Sequence, residues 1–192
     1  MIEGEEKISP ECTHPTGYGF SRGLIIVPLP CGIPTVPGSP FTHPESLMHL
    51  LIQRVAQASV QIDSQIHGSI GPGLLAFICA EPADTTETVY KAVAKLLKLR
   101  IFADEAGRMN RSVQDVGGGL LIVSQFTLAA DTRQGNRPSF IGAAPPAQGE
   151  ALYDAFVTEA RRLHPDVATG RFGANMQVAL VNDGPVTIPM RL

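Results

Sequence analysis

Half of the chain's sixteen prolines fall in its first 47 residues, which confines any packed domain to the remaining three quarters of its length. Proline lacks a backbone N–H and fixes φ, so a stretch this rich in it forms neither a long helix nor a central strand. Residues 1–47 read as Pro, Gly, Ser and Thr punctuation around one short apolar run, Leu24-Ile25-Ile26-Val27. Glu3, Glu5 and Glu6 stand where a secretory signal would carry Lys or Arg ahead of its apolar stretch. A loosely ordered extension, an expression remnant and a misplaced start codon all fit this composition. The functional domain is expected to begin at Met48 and run to Leu192.

From Met48 the patterning is regular. Residues 49–55 and 59–63 are strand-like, the second with period-two alternation, and Ile66 to Ile70 comes after them. Gly71-Pro72-Gly73 turns the chain into Leu74 to Ala80, a candidate central strand. Asp84-Thr85-Thr86-Glu87 predicts a capping-box helix start, with Val89, Val93, Leu96 and Leu97 on one face. Ile101-Phe102 and a turn at Asp104 to Gly107 come next. Gly117-Gly118-Gly119 predicts a bulge or a close backbone approach before the strand Leu120 to Val123. Pro145-Pro146 open a second helix whose stripe is Leu152, Phe156, Ala160 and Leu163. Between the strands Met176 to Val181 and Val186 to Ile188, the segment Asn182-Asp183-Gly184-Pro185 has the composition of a tight hairpin. Strands dominate and helices fall between strand groups, so the fold class is α+β on mostly antiparallel sheet with two main helices.

Charge narrows the partners. The net charge is −3, and residues 48–192 carry 13 basic and 13 acidic side chains. A surface that coats DNA would need a strong positive excess, whereas a short nucleic-acid end requires few phosphate contacts. The longest apolar runs, Gly23 to Leu29 and Leu74 to Ala80, are too short to span a bilayer. Cys12, Cys31 and Cys79 lack CxxC spacing and suit a reducing, cytoplasmic compartment. The five histidines are scattered without a ligand pair, so no metal site is expected.

No familiar nucleophile motif is present. Ser124 ends the most hydrophobic strand, but between Val123 and Gln125 it lacks the GxSxG elbow. Thr127 is a second hydroxyl in the same segment, and neither has a histidine nearby in sequence; a triad with His67 or His164 would have to be assembled by the fold. Where a strand breaks into a loop, successive N–H groups lose their ladder partners and can stabilise a developing oxyanion without a catalytic side chain. Arg133 and Arg137, in the loop after this segment, are either solvated or phosphate-holding. Arg54, between Ile52 and Val55 in a strand pattern, lies on a solvated face or has a fixed partner such as backbone carbonyls. Gly117–Gly119 precedes a strand rather than a helix, so it is no phosphate loop.

Together, Ser124-Gln125-Phe126-Thr127 and Asn182-Asp183-Gly184-Pro185-Val186-Thr187 resemble the two signature motifs of the D-aminoacyl-tRNA deacylase family. The resemblance extends over Met48 to Leu192 through Gln53-Arg54-Val55, Arg100 to Asp104, Arg137 to Phe140 and Thr169 to Met176. It implies a barrel-like, homodimeric, cofactor-free hydrolase that cleaves the ester joining a D-amino acid, or glycine mischarged on tRNA-Ala, to the tRNA 3′ end. The resemblance implies a cis Gly184–Pro185 reaching into the partner subunit as a chiral filter, with Arg54 bracing it. Gln125, Phe126 and Thr127, after Ser124, would line the ester pocket and supply backbone oxyanion donors. Phe172 and Met176 would hold the terminal adenosine, whose ribose 2′-OH would assist the chemistry. Asn136 departs from the family, where Met is common, and residues 1–47 have no counterpart in it. A serine or threonine esterase for small acyl substrates and a non-catalytic tRNA-end-binding module are the competing readings.

Overall fold

The computed structural model describes residues 48–192, so the expected extension 1–47 lies outside the described residues. The stretches expected as two strands, 49–55 and 59–63, belong to one strand, β1 (His49–Ile62). The break in its alternation is a bulge: Val55 opposes Asn182 and Gln57 opposes Val181, leaving Ala56 as the extra residue. Asp63 and Ser64, both at positive φ, turn the chain into β2 (Gln65–Ile70), and Gly71-Pro72 lead to β3 (Gly73–Cys79). β2 and β3 occupy successive halves of the same edge of β1, beside Ala58–Ile62 and His49–Val55 respectively.

The helix α1 (Thr86–Leu97) is capped by Thr85, whose reciprocal partner is Thr88 rather than the expected Glu87. Asp84 instead folds back to accept the Glu81 N–H at 2.7 Å. β4 (Phe102–Ala103) and β5 (Met109–Arg111) form a separate two-stranded ribbon. A one-turn helix that the hydrophobic pattern did not disclose, α2 (Val113–Val116), is boxed by Ser112 and Asp115 and ended by Gly117 at φ 63°. β6 (Gly119–Ser124) then runs parallel to β3, and after α3 (Pro146–Leu163) the short β7 (Val167–Thr169) runs parallel to β6. β8 (Gln177–Arg191) returns antiparallel along the free edge of β1.

The main sheet is therefore mixed: three of its pairings are antiparallel, in keeping with the expectation of mostly antiparallel sheet, and two, β3 with β6 and β6 with β7, are parallel. Its order is β2-β1-β3-β6-β7, with β8 on β1. The two parallel pairings follow from crossovers that include α1 and α3, since parallel neighbours cannot be joined by a tight turn. Closure is barrel-like at the far end, where a Cβ on Gly68 of β2 would stand 2.7 Å from the Thr169 carbonyl of β7. The close approach expected at the triple glycine is present: a Cβ on Gly73 would fall onto the backbone of Gly119. The expected hairpin at Asn182–Pro185 is absent, because both flanks of this segment pair with β1 and not with each other.

Two cores lie on opposite faces of the sheet. Leu74, Ala76, Ile78, Leu120 and Ile122 pack with Val89, Leu96 and Phe156 of the helices. Leu75, Leu121 and Val123 point the other way, to Val60, Ile62 and Ile70. Each fully buried Leu or Ile stabilises the fold by about 1.5–3 kcal/mol. β1 changes face along its length: Leu50 and Ile52 join the helix-side core, Val55, Ala58 and Val60 the other. β8 changes with it, from Ile188 and Met190 on the helix side to Val178 and Leu180 on the other. The exchange takes place where residues 183–186 leave the sheet.

Candidate active site

β6 ends at Ser124: Gln125 N–H makes the last bond to β3, donating to the Ile78 carbonyl at 2.8 Å, and the chain then winds into a 3-10 turn, Phe126–Ala129. The first N–H groups of such a turn have no internal acceptor. Those of Phe126 and Thr127 have none elsewhere among the described residues either. The Gln125 side-chain amide donates to Thr127 Oγ1, which ties the two side chains across the turn.

Beside this turn lies a cavity of about 700 Å³. Ser124, Gln125 and Phe126 line it with Phe172 and Met176 from the segment between β7 and β8. The structure thus brings five of the expected site residues together; Thr127 is not among the lining residues. Phe126 is 59% exposed and meets Phe140 edge to face, ring centres 5.2 Å apart. Tyr153 and Phe172, which also line the cavity, stand 6.0 Å apart. This apolar, aromatic lining suits a flat ring system better than a charged group.

Sequence reasoning passed over three wall residues. Tyr153 lies beside the expected α3 stripe; its buried hydroxyl donates to Ile122 O (3.1 Å) or Gly170 O (3.3 Å), and burial pushes its pKa up to about 12. Phe140 was visible only as part of the Arg137–Phe140 match. Cys79 ends β3; burial, opposed by a backbone hydrogen bond from Ala129, raises its thiol to about 11, so it stays protonated and donates weakly towards Phe126 O at 3.6 Å. It is therefore not a thiolate nucleophile. Arg133 is exposed and bonds Asp131 through two nitrogens, holding that carboxyl down at about 2, and Arg137 is exposed.

Arg54, Gly184 and Pro185 do not line this cavity. They meet instead at the extruded segment of β8. Gln53 opposes Thr187 and Val55 opposes Asn182, so four residues, 183–186, stand across from Arg54 alone. The Gly184–Pro185 bond is cis. Asn182 closes the base: its Oδ1 accepts from Val186 N–H at 2.7 Å, and its Nδ2 donates to Val186 O at 3.1 Å. Arg54, with a side chain only 12% exposed, fills the space beneath. Its Nε donates to Asp183 O at 3.0 Å and its Nη1 to Ile101 O at 2.5 Å, so of its two sequence readings the carbonyl-bonded one holds. Gly184 sits at φ 137°, and a Cβ there would approach Val186 Cγ2 to 2.7 Å and Arg54 Nη2 to 3.0 Å. Only glycine fits. The site thus has two separated parts in one chain, a concave aromatic cavity and an exposed backbone tip.

Residues 51–191 match the family described as D-Tyr-tRNA(Tyr) deacylase. The chain is 68% identical over 147 residues to a D-aminoacyl-tRNA deacylase of Delftia acidovorans, covering 74% of this chain and 94% of the relative. It is 66% identical over 145 residues to one of an Azoarcus species, covering 76% and 96%. Among solved structures it is similar to a c-Myc DNA unwinding element binding protein, at 38% identity and TM-score 0.71, over 74% of this chain and 97% of the other. A chain described as a probable eukaryotic D-amino acid tRNA deacylase shares the fold, at 19% identity and TM-score 0.68, over 76% and 100%. No helix among the described residues is long and apolar enough to cross a membrane.

Proposed function

Because this chain belongs to the D-Tyr-tRNA(Tyr) deacylase family and is a hydrolase of the D-aminoacyl-tRNA ester, we propose that it selects its substrate with the Gly184–Pro185 backbone and cleaves it beside Phe126. The observation carrying this reading is the pair of N–H groups, Phe126 and Thr127, left without acceptors at the break that opens onto the cavity. Water adds to the ester carbonyl, these donors take up the developing oxyanion, and collapse releases a free D-amino acid and the 3′-terminal ribose hydroxyl. Such donors act where charge develops, and removing one typically costs about 10²–10³-fold in rate. The ribose 2′-OH supplies the proton transfer for which the segment itself offers no histidine. Chemistry of this kind calls for no cofactor. The terminal adenosine stacks between Phe172 and Met176 in the apolar wall.

In this proposal a second copy of the chain completes the site. The exposed Gly184–Pro185 tip enters the partner's cavity, where its carbonyls bind the substrate's amino group and its rigid backbone clashes with an L side chain. Steric exclusion by a fixed wall is needed because preferential binding of one small apolar group yields only about 1–3 kcal/mol. Glycine has no side chain to clash, so glycyl-tRNA is accepted as well. The working compartment is the cytoplasm, where charged tRNA is used. DNA, named for one structural neighbour, is not carried over: equal numbers of basic and acidic residues in 48–192 give no counterion-release footprint for a duplex.

The test is single-turnover hydrolysis of matched D-tyrosyl-tRNA and L-tyrosyl-tRNA. Release of the D-amino acid with the L ester spared is expected. No release of the D-amino acid at stoichiometric protein would leave only a binding module.

A further inference from the structure

One buried carboxylate oxygen has no part in the site and no partner in the fold. Asp84 is 5% exposed; its Oδ2 accepts the Glu81 N–H, while its Oδ1 has no hydrogen-bond partner among the described residues. Burial raises its pKa, Glu81 adds to the rise, and backbone donors at Glu81 and Met48 only partly oppose it. Its surroundings are short of positive charge: His49 Nε2 lies 2.5 Å from Glu81 Oε1, so one imidazole faces two carboxylates. An unpaired buried acceptor weakens the fold, the more so when it is charged.

The group nearest to meeting this need is the nitrogen of Met48. As a peptide N–H it has one hydrogen, which is given to Leu192 O at 3.0 Å; it lies close enough to the Asp84 carboxyl to oppose the rise in its pKa but leaves Oδ1 without a hydrogen bond. As an α-ammonium it would have three, enough to keep the Leu192 bond and to reach Asp84 Oδ1, with the missing positive charge supplied. We infer that residue 48 carries the free α-amino group of the functional chain, with Asp84 as its counterion. Either translation begins at the Met48 codon, or water cleaves the Leu47–Met48 peptide bond to give a Leu47 carboxylate and the Met48 ammonium. The lengths of the relatives fit a chain that stands without the preceding residues: about three quarters of this chain accounts for 94% of the Delftia relative and 97% of a solved chain.

The test is a comparison of the full chain with one released at Met48, each with and without Asp84→Asn, by urea unfolding. In the Met48 chain, Asp84→Asn should lower the folding equilibrium constant at least tenfold; in the full chain it should change it less than threefold or raise it. Adding a single glycine before Met48 displaces the ammonium and should by itself lose the same tenfold, a readout that stands even if the Asp84→Asn chain does not fold. Equal effects of Asp84→Asn in both chains, or no effect of the added glycine, would overturn the inference. Mass spectrometry of the protein made from its own gene should find Met48 at the N-terminus. Met48→Leu abolishes that species if it arises by initiation and spares it if it arises by cleavage. A chain starting only at residue 1 would overturn the inference too.

Discussion

Replacing Arg54 should cost stability and stereochemical discrimination together. The guanidinium holds two carbonyls that belong to different parts of the chain, Ile101 O at 2.5 Å and Asp183 O at 3.0 Å. Ile101 is 5% exposed, so its carbonyl finds no ready substitute in water. A hydrogen bond from a charged donor contributes about 1.5–3 kcal/mol, and the more exposed Asp183 arm belongs at the low end of that range or below it. The accompanying ion pair to Asp183 Oδ2 adds about 0–1 kcal/mol, because that carboxylate is 58% exposed. Arg54→Met should therefore lose about 3 kcal/mol, which lowers Tm by about 6–12 °C for a domain of this size. Arg54→Lys keeps the charge but has one compact head that reaches only one carbonyl, so about half of that loss is expected. Thermal unfolding measures the first effect, and parallel deacylation of D- and L-tyrosyl-tRNA the second. Because the tip is held from beneath by Arg54, the D rate should fall and the L rate rise in both variants. A Tm and a D/L ratio both unchanged in Arg54→Met would refute the bracing role.

Thr127→Ala should keep most of the deacylation rate, losing far less than the roughly 10²–10⁴-fold expected for a general acid, base or nucleophile. A substrate ending in 2′-deoxyadenosine should not be hydrolysed; the reverse pair of results in rate assays would favour a side-chain esterase. Tyr153→Phe removes a buried donor shared between Ile122 O and Gly170 O and should cost about 1–2 kcal/mol in chemical denaturation. The Cys79 thiol ionises at about 11 in the folded protein against 9.0 for an unburied thiol, so between these values the folded state holds the extra proton. Stability should then fall as pH rises from 9 to 11, by at most about 1.4 kcal/mol per pH unit. Cys79→Ala should flatten that decline, with Tyr153 producing a similar one above pH 10, and a flat wild-type curve from pH 9 to 11 would contradict the burial argument.

The apolar runs of β3 and β6, the stripes of α1 and α3 and the close approach at Gly119 were legible, because each is set by residues within a few positions. The parallel pairing of β3 with β6 was not, since direction depends on the crossover between them. Ala56 read as the end of a strand because a bulge and a strand break interrupt the alternation alike. The cap of α2 was present in the sequence as Ser112 with Asp115 three residues on, but one turn of helix has no hydrophobic period to flag it. Asn182 to Pro185 has turn composition in a hairpin or an extrusion, and only the common partner, β1, distinguishes them. The break after Ser124 was legible as a source of free N–H groups, whereas Tyr153 and Phe140 became wall residues only through folding.

The extruded segment also restricts how this protein can vary. Four residues of β8 against one of β1 add three to the count on one side of the ladder, and Ala56 adds one on the other. Each excess is odd, which is why Val178 and Leu180 before the tip and Ile188 and Met190 after it, all even-numbered, pack into cores on opposite faces of the sheet. Slipping Thr187–Arg191 by one residue along β1 would turn Ile188 and Met190 to solvent and bring Thr187 and Pro189 inward, so a change in the length of β8 has to be absorbed among the unpaired residues 183–186. The two cores therefore fix the register on either side, and variation in the length of β8 falls on the tip.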